Sequence, residues 1–542
     1  MRLHTPALIA ALMVSLPALA DTAVIVRTPD GALQGEVSGN LRIFKGIRYA
    51  EAPAGALRWK PPVAIKPWTG TRAATQFGPA CVQPPVRPGS IYTWKLPPTS
   101  EDCLFLNIWA PADARNAPVF FWIHGGALTT GVGSDALYDG TALASRGLIV
   151  VSINYRMGVL GYLAHPELSA ESPEHISGNY GLLDQIEALH WVKRNITAFG
   201  GDPANVTIAG ESAGALSVMY LMASPPARGL FAKAIAESAY MISTPELRGA
   251  PYGDVAQEAL GAWLTGKLGA KDLSGLRAMD ATAITAAAAA AGFAPFGSVD
   301  GRILPRQLVE VFDRGEQAKV PILAGFNSGE IRSLRYLLAP APKDAATYER
   351  EIRARYADLA DAFLDRYPAS DIDGSMLKTT RDALYGWTAE RLVARQSTIG
   401  APSFLYLFDH GYPAADDQGL HGFHASELPF VFGTADRTPP DWPKIPPTPA
   451  QARFSAAMTD YWAAFARDGV PSAAQQATWW PYGAERAYMH FTERPEPATH
   501  LDPGMYEFIE EVVCRERAQG GIPWNWTVGL AARPLPPKGP CR

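Results

Sequence analysis

Beyond its first twenty residues the sequence has no apolar run of the roughly eighteen residues that a membrane-spanning helix needs, which excludes such a helix from the body of the chain. Lysine and arginine never gather into a block or stripe, and with 48 basic against 53 acidic residues the balance gives no electrostatic footprint for nucleic acid. Neither H-E-x-x-H nor C-x-x-C occurs, nor a glycine fingerprint for a dinucleotide, so neither a metal nor an organic cofactor is expected. No segment repeats at a fixed period, which sets aside solenoids and propellers. Cysteine is scarce, with four in 542 residues.

The first twenty residues, MRLHTPALIAALMVSLPALA, carry Arg2, a mostly apolar stretch and a closing Ala-Leu-Ala before Asp21. This is the pattern of a secretory signal with an A-x-A cleavage site, too short and wrongly flanked for an anchor. Export to the periplasm or medium is therefore expected, with residues 21–542 as one mature domain. Losing Arg2 takes the formal charge from -5 to -6. All four cysteines, Cys81, Cys103, Cys514 and Cys541, lie in the mature part, and an even number behind a signal favours disulfides over four free thiols. Proximity favours Cys81 with Cys103 and Cys514 with Cys541, each closure contributing about 3 kcal/mol in the chain-entropy model.

From about Ala23 to Ala239, short β-branched or aromatic runs alternate with helical patterns. NLRIFKGI, LFLNIWAP, PVFFWIH, LIVVSINY and NVTIAG read as strands; LLDQIEALHWVKRNITAF and ALSVMYLMAS read as helices. Nearly continuous apolar runs such as VFFWI are what strands buried on both faces look like, so the expected architecture is α/β with a mostly parallel sheet under helices. After Tyr240 the texture turns Ala-rich and helical, with further strands in KVPILAGF and PSFLYLFDH. The Pro-rich RTPPDWPKIPPTPA reads as an extended surface loop.

In NVTIAGESAGALSVMYLMAS a strand runs through Gly210-Glu211-Ser212-Ala213-Gly214 into a helix. That is G-x-S-x-G in the strand-turn-helix setting of a nucleophile elbow. A turn this sharp leaves no room for side chains two residues either side of the serine, so Gly210 and Gly214 are read as demanded by sterics and by strained backbone angles. Ser212 becomes the candidate nucleophile, and the helix start gives Ala213 N–H as one oxyanion donor. In FFWIHGGALTTG a buried strand ends in His124-Gly125-Gly126-Ala127, small residues that let backbone N–H groups approach a ligand; Gly126 and Ala127 are the other candidate donors.

These two motifs, together with FKGIRYAEAPAGALRWKPP, SEDCLFLNIW, NYRMGVLGYL and HASELPFVFG, resemble the type B carboxylesterases, the family that includes the cholinesterases. The resemblance implies an α/β-hydrolase fold with helical insertions forming a gorge, and a serine ester hydrolase working on a small-molecule ester through an acyl-enzyme. It implies a triad of Ser212, Glu330 and His424. Glu330 follows the strand in VPILAGFNSGE, with Asp300 of SVDGRILP as its rival; composition leaves His421 and His424 unseparated, and the histidine-loop resemblance selects His424. Glu211 and Glu427 would add negative charge near the imidazole. The resemblance also supports the Cys81–Cys103 pairing. It suggests Trp94 near a ligand-facing position, against an ordinary packed tryptophan, Tyr240 and Met241 as gorge walls, and Arg332 and Arg335 as contacts for a carboxylated substrate like that of fumonisin-type esterases, against solvated side chains on a helix. A non-catalytic cholinesterase-like binding protein, or an amidase or lipase on the same fold, remain the alternatives.

Overall fold

The computed structural model describes residues 22–85, 89–93, 95–253, 255–520 and 528–539. Trp94, Cys541 and residues 1–21, the expected signal among them, lie outside the described residues, and with Cys541 so does the second expected cysteine pair. The strands are β1 (Thr22–Arg27), β2 (Ala32–Ser38), β3 (Leu41–Arg48), β4 (Thr71–Ala73), β5 (Ala80–Cys81), β6 (Thr99–Ser100), β7 (Phe105–Pro111) and β8 (Ala117–Ile123). They continue with β9 (Ile149–Ile153), β10 (Gly201–Glu211), β11 (Lys233–Glu237), β12 (Ile322–Asn327), β13 (Ser403–Phe408), β14 (Ala487–Phe491) and β15 (Pro495–Thr499).

Among the described residues one large sheet runs β1-β2-β3-β7-β9-β8-β10-β11-β12-β13-β14-β15, with β4 on the side of β2. The centre, from β9 to β14, is parallel; β1, β2, β3, β7 and β15 join antiparallel. Side chains alternate across a strand, so a strand buried on both faces feeds two cores. In β8, Val119, Phe121 and Ile123 enter one apolar cluster, Phe120 and Trp122 the other. Ile149, Val151 and Ile153 of β9 likewise oppose Val150, and Ala234 and Ala236 of β11 oppose Ile235. This is why the sequence reads there as unbroken apolar runs.

Parallel strands bring their carboxyl ends to one edge of the sheet, where α/β folds place their chemistry. Ile123, Glu211, Glu237, Asn327 and Phe408 end five such strands. Cys81 and Cys103 form a disulfide that closes the intervening loop. The Pro-rich stretch 437–450 departs from expectation, because it is not wholly at the surface. Trp442 is buried with its ring centroid 4.8 Å from that of Phe423, and its indole N–H donates to the Tyr412 hydroxyl. Trp442 and Ile445 both join the core and draw the stretch inward.

Candidate active site

The elbow begins where β10 ends. Ser212 takes φ 56° and ψ -121° and caps the helix Ala213–Ala223, every residue of which is buried. A Cβ on Gly214 would stand 2.1 Å from the Ile123 carbonyl oxygen, and one on Gly210 would stand 2.5 Å from the Gly214 carbonyl carbon. The steric reading of these glycines therefore holds. The expected strain does not fall on them, since neither has positive φ; it falls on Ser212 itself, at a cost of about 1–3 kcal/mol. That strain is held by Ser212 N–H donating to Glu237 O at 2.9 Å and Leu216 N–H donating to Ser212 O at 2.9 Å.

The loop after β8 runs alongside. Gly126 has φ 103°, and Ala127 and Leu128 have φ 55° and 56°, a left-handed run that turns the chain back over the serine. Thr129 and Thr130 N–H groups fix it by donating to Gly126 O. Among the described residues the N–H groups of Gly126, Ala127 and Ala213 have no protein acceptor. His124 is a packed ring: stacked on Tyr155 at 4.6 Å and wholly buried, its pKa is pulled down to about 4 by burial, so it is neutral.

The three triad candidates, drawn from chain segments more than ninety residues apart, meet in one line. His424 Nε2 lies 3.0 Å from Ser212 Oγ, and His424 Nδ1 is hydrogen-bonded to Glu330 Oε2. Glu330 Oε1 accepts from Asn327 N–H at 2.8 Å and from the Ser238 hydroxyl at 2.6 Å. Glu330 is wholly buried, while Ser212 and His424 keep 9% and 7% of their surface exposed, so substrate has a narrow approach. The histidine loop is tied to the Glu330 turn by Gly329 N–H to Gly422 O at 2.7 Å and Asn327 Nδ2 to Phe423 O at 2.8 Å.

The rivals go elsewhere. Asp300 Oδ1 accepts from the backbone N–H groups of Arg302, Ile303 and Leu304, and Oδ2 from Asn179, a turn-holding role. His421 has Nδ1 2.7 Å from Asp416 and Nε2 3.2 Å from Asp409, which raise its pKa to about 9. Arg332 and Arg335 are exposed; the first donates to Gly419 O and the second pairs with Asp373.

Carboxylates crowd the imidazole. Glu211 Oε1 is 3.1 Å from His424 Nε2. A bare carboxylate and an imidazole lone pair at that separation repel, so a proton is favoured between them. Burial, with Glu330 adding, raises Glu211 to about 7. Burial pulls the imidazole down, but Glu211, Glu330 and Glu427 outweigh it and push His424 up to about 9. Glu427 is raised to about 8 and Glu237 well above the carboxylate range, mainly by burial. For both, burial favours the protonated form.

Sequence reasoning missed Ser238, Tyr92 and Tyr385. Ser238 directly follows β11, and only the strand order brings it to Glu330. Tyr385 rides on a π-helical turn, Asp382–Gly386, that sets its ring 5.4 Å from that of His424, with Tyr240 6.2 Å behind it. Tyr240 and Met241 are both buried next to β11.

A model of the "Carboxylesterase family" matches residues 22–509. Fumonisin B1 esterase of Sphingopyxis macrogoltabida is 36% identical over 480 residues, 85% of this chain and 84% of that protein. Para-nitrobenzyl esterase of Bacillus subtilis is also 36% identical, over 84% of this chain and 92% of that one. A solved PNB esterase structure superposes with a TM-score of 0.77 at 33% identity, covering 90% of this chain and 99% of the other. The carboxylesterase of Geobacillus stearothermophilus gives 0.71 at 32% identity, over 89% and 99%. The sheet is thus that of an α/β-hydrolase, and with the match extending from β1 to the C-terminal helix Met505–Gln519, this chain belongs to the carboxylesterase family and is a carboxylesterase.

Proposed function

We propose that the chain hydrolyses small-molecule carboxylic esters by two acyl transfers on Ser212, with His424 as general base and Glu330 as the carboxylate that orients it. The observation that carries this reading is the continuous Ser212–His424–Glu330 hydrogen-bond chain at the carboxyl edge of a parallel sheet. Ser212 Oγ attacks the ester carbonyl carbon while its proton passes to Nε2, and the developing oxyanion is met by Gly126, Ala127 and Ala213 N–H groups, each worth about 3 kcal/mol. The C–O bond to the alcohol breaks and the alcohol leaves with the proton from Nε2. Water then attacks the acyl carbon, gives a proton to the same nitrogen, and releases the acid as Ser212 regains its hydrogen.

Arg332 and Arg335 are engaged elsewhere, and the groups that crowd the imidazole are carboxyl groups, whose negative charge repels an anionic substrate. The reading therefore favours uncharged esters over the polycarboxylate kind, although one relative is named for fumonisin B1. The leader pattern and the Cys81–Cys103 disulfide support an exported protein with residues 21–542 as one catalytic domain.

A common acyl-enzyme makes a kinetic prediction. Esters sharing an acyl group but differing in alcohol, hydrolysed with added methanol, give one fixed ratio of methyl ester to acid. A ratio that followed the leaving group would mean direct attack by water.

Glu211 gives a second. Its charge favours the imidazolium, so activity rises with pH as that proton is lost, and the acid limb of kcat/KM belongs to His424 and Glu211 together. Glu211→Gln removes the charge and lowers the midpoint of that limb by about one unit. A pH profile with a neutral p-nitrophenyl ester checks this, and an unmoved limb contradicts it.

A further inference from the structure

We propose that Tyr92, from the loop closed by Cys81 and Cys103, is a positioning residue for His424. The inference rests on the reading of His424 as the base. The phenolic oxygen of Tyr92 lies 2.8 Å from the His424 carbonyl oxygen and 2.8 Å from Ser333 Oγ. A carbonyl only accepts, so the single phenolic proton goes to His424 O, and the Ser333 hydroxyl is left to donate to the phenolic oxygen. Ser333 closes the short 3₁₀ turn Glu330–Arg332, with its hydroxyl 3.4 Å from Glu330 O. One phenol therefore braces two segments at once: the backbone of the base and the turn that carries the carboxylate orienting it.

The histidine loop needs such a brace. Residues 421–427 belong to no helix or strand, and two of them, His421 and Ala425, sit at φ 50° and 67°. Among the described residues no backbone N–H donates to the His424 carbonyl. The loop's ties to the Glu330 turn flank His424: Gly422 and Phe423 before it, and Glu427, bonded to Asn327 Nδ2, after it. Tyr92 adds the contact to the main-chain carbonyl of His424. Its ring is also set edge-on to the imidazole, with centroids 6.5 Å apart, and edge-on to Trp442 at 5.8 Å. Trp442 in turn packs on Phe423, so the ring is held laterally while its hydroxyl holds the carbonyl. Reaction at Ser212 needs Nε2 to stay at its 3.0 Å separation, and misplacement by about 1 Å costs a factor on the order of 100. A drift of the carbonyl tips the ring away from Oγ without changing what the substrate touches.

Tyr92→Phe deletes one oxygen and keeps the ring. We expect kcat on p-nitrophenyl acetate to fall about tenfold with KM changed by less than about twofold, the signature of an interaction that matters in the transition state. Ser333→Ala, which removes the second partner, is expected to lower kcat about threefold in the same manner, and it decides the matter should Tyr92→Phe not fold. An unchanged kcat in a folded variant, whatever happens to Tm, would overturn the proposal. So would a raised KM at unchanged kcat, which would make Tyr92 a substrate contact. His424→Gln in the same assay separates the two levels: if it turns over like the wild type, the base assignment itself fails. If it is inactive while Tyr92→Phe and Ser333→Ala are wild-type, only the role of Tyr92 falls.

Discussion

Ser212→Ala is expected to lower kcat for a p-nitrophenyl ester by at least about 10⁴-fold, leaving only the residual rate that an oxyanion hole and binding supply without a nucleophile. The size of the loss follows from the geometry. At the end of β10 this hydroxyl is the group within 3.0 Å of the imidazole nitrogen, and the elbow puts it there at the cost of a φ of 56°. Alanine keeps the Cβ and therefore the same strained backbone. The bonds that impose that strain, Ser212 N–H to Glu237 O and Leu216 N–H to Ser212 O, are main-chain bonds that the substitution leaves intact. The variant should melt within a few degrees of the wild type, so lost activity reports lost chemistry. A melting curve run beside the kinetics checks both halves.

Glu330→Gln is expected to lower kcat on the order of 10³–10⁴-fold at neutral pH with KM little changed, through the tautomer of the histidine. Glu330 Oε1 accepts two hydrogen bonds, from Asn327 N–H and the Ser238 hydroxyl. In glutamine only the amide oxygen can fill that place, which turns the NH₂ group toward His424 Nδ1. Nδ1 must then offer its lone pair, and the ring proton moves to Nε2, facing Ser212 Oγ. An Nε2–H cannot take a proton from the serine. Steady-state kinetics with a single neutral ester measures the effect, and a loss of tenfold or less would mean that Glu330 does not set the tautomer.

What the sequence made legible and what it hid divide along a physical line. The elbow was legible because Gly210, Ser212 and Gly214 sit within five residues between an apolar strand and an apolar helix, so their collision is a local matter. The central strands were legible because burial on both faces writes itself as VFFWI and LIVV. β14 and β15 were not anticipated: AYMHF is short, and PEPAT carries two prolines that only an edge strand tolerates. Ser238 and Tyr92 were hidden for a different reason. Nothing near either in the chain marks it, since one acquires its partner through the order β10-β11-β12 and the other through a loop reaching across to residue 424. His421 and His424 are three residues apart in an irregular loop, and only the placement of Asp409 and Asp416 draws the first aside. Arg332 and Arg335, close to Glu330 in sequence, allowed two readings, substrate contact or solvated side chain; both are exposed, and their partners are Gly419 and Asp373.

In the proposed reaction one oxygen, Oγ of Ser212, becomes covalently acylated. The most direct test of this is the mass of the intact protein after treatment with a p-nitrophenyl phosphonate, followed by peptide mapping. A single adduct per chain on the peptide containing Ser212 is expected, with complete loss of esterase activity and no adduct on Ser212→Ala. Equal labelling of Ser212→Ala, or an adduct on another residue that tracks the loss of activity, would contradict it.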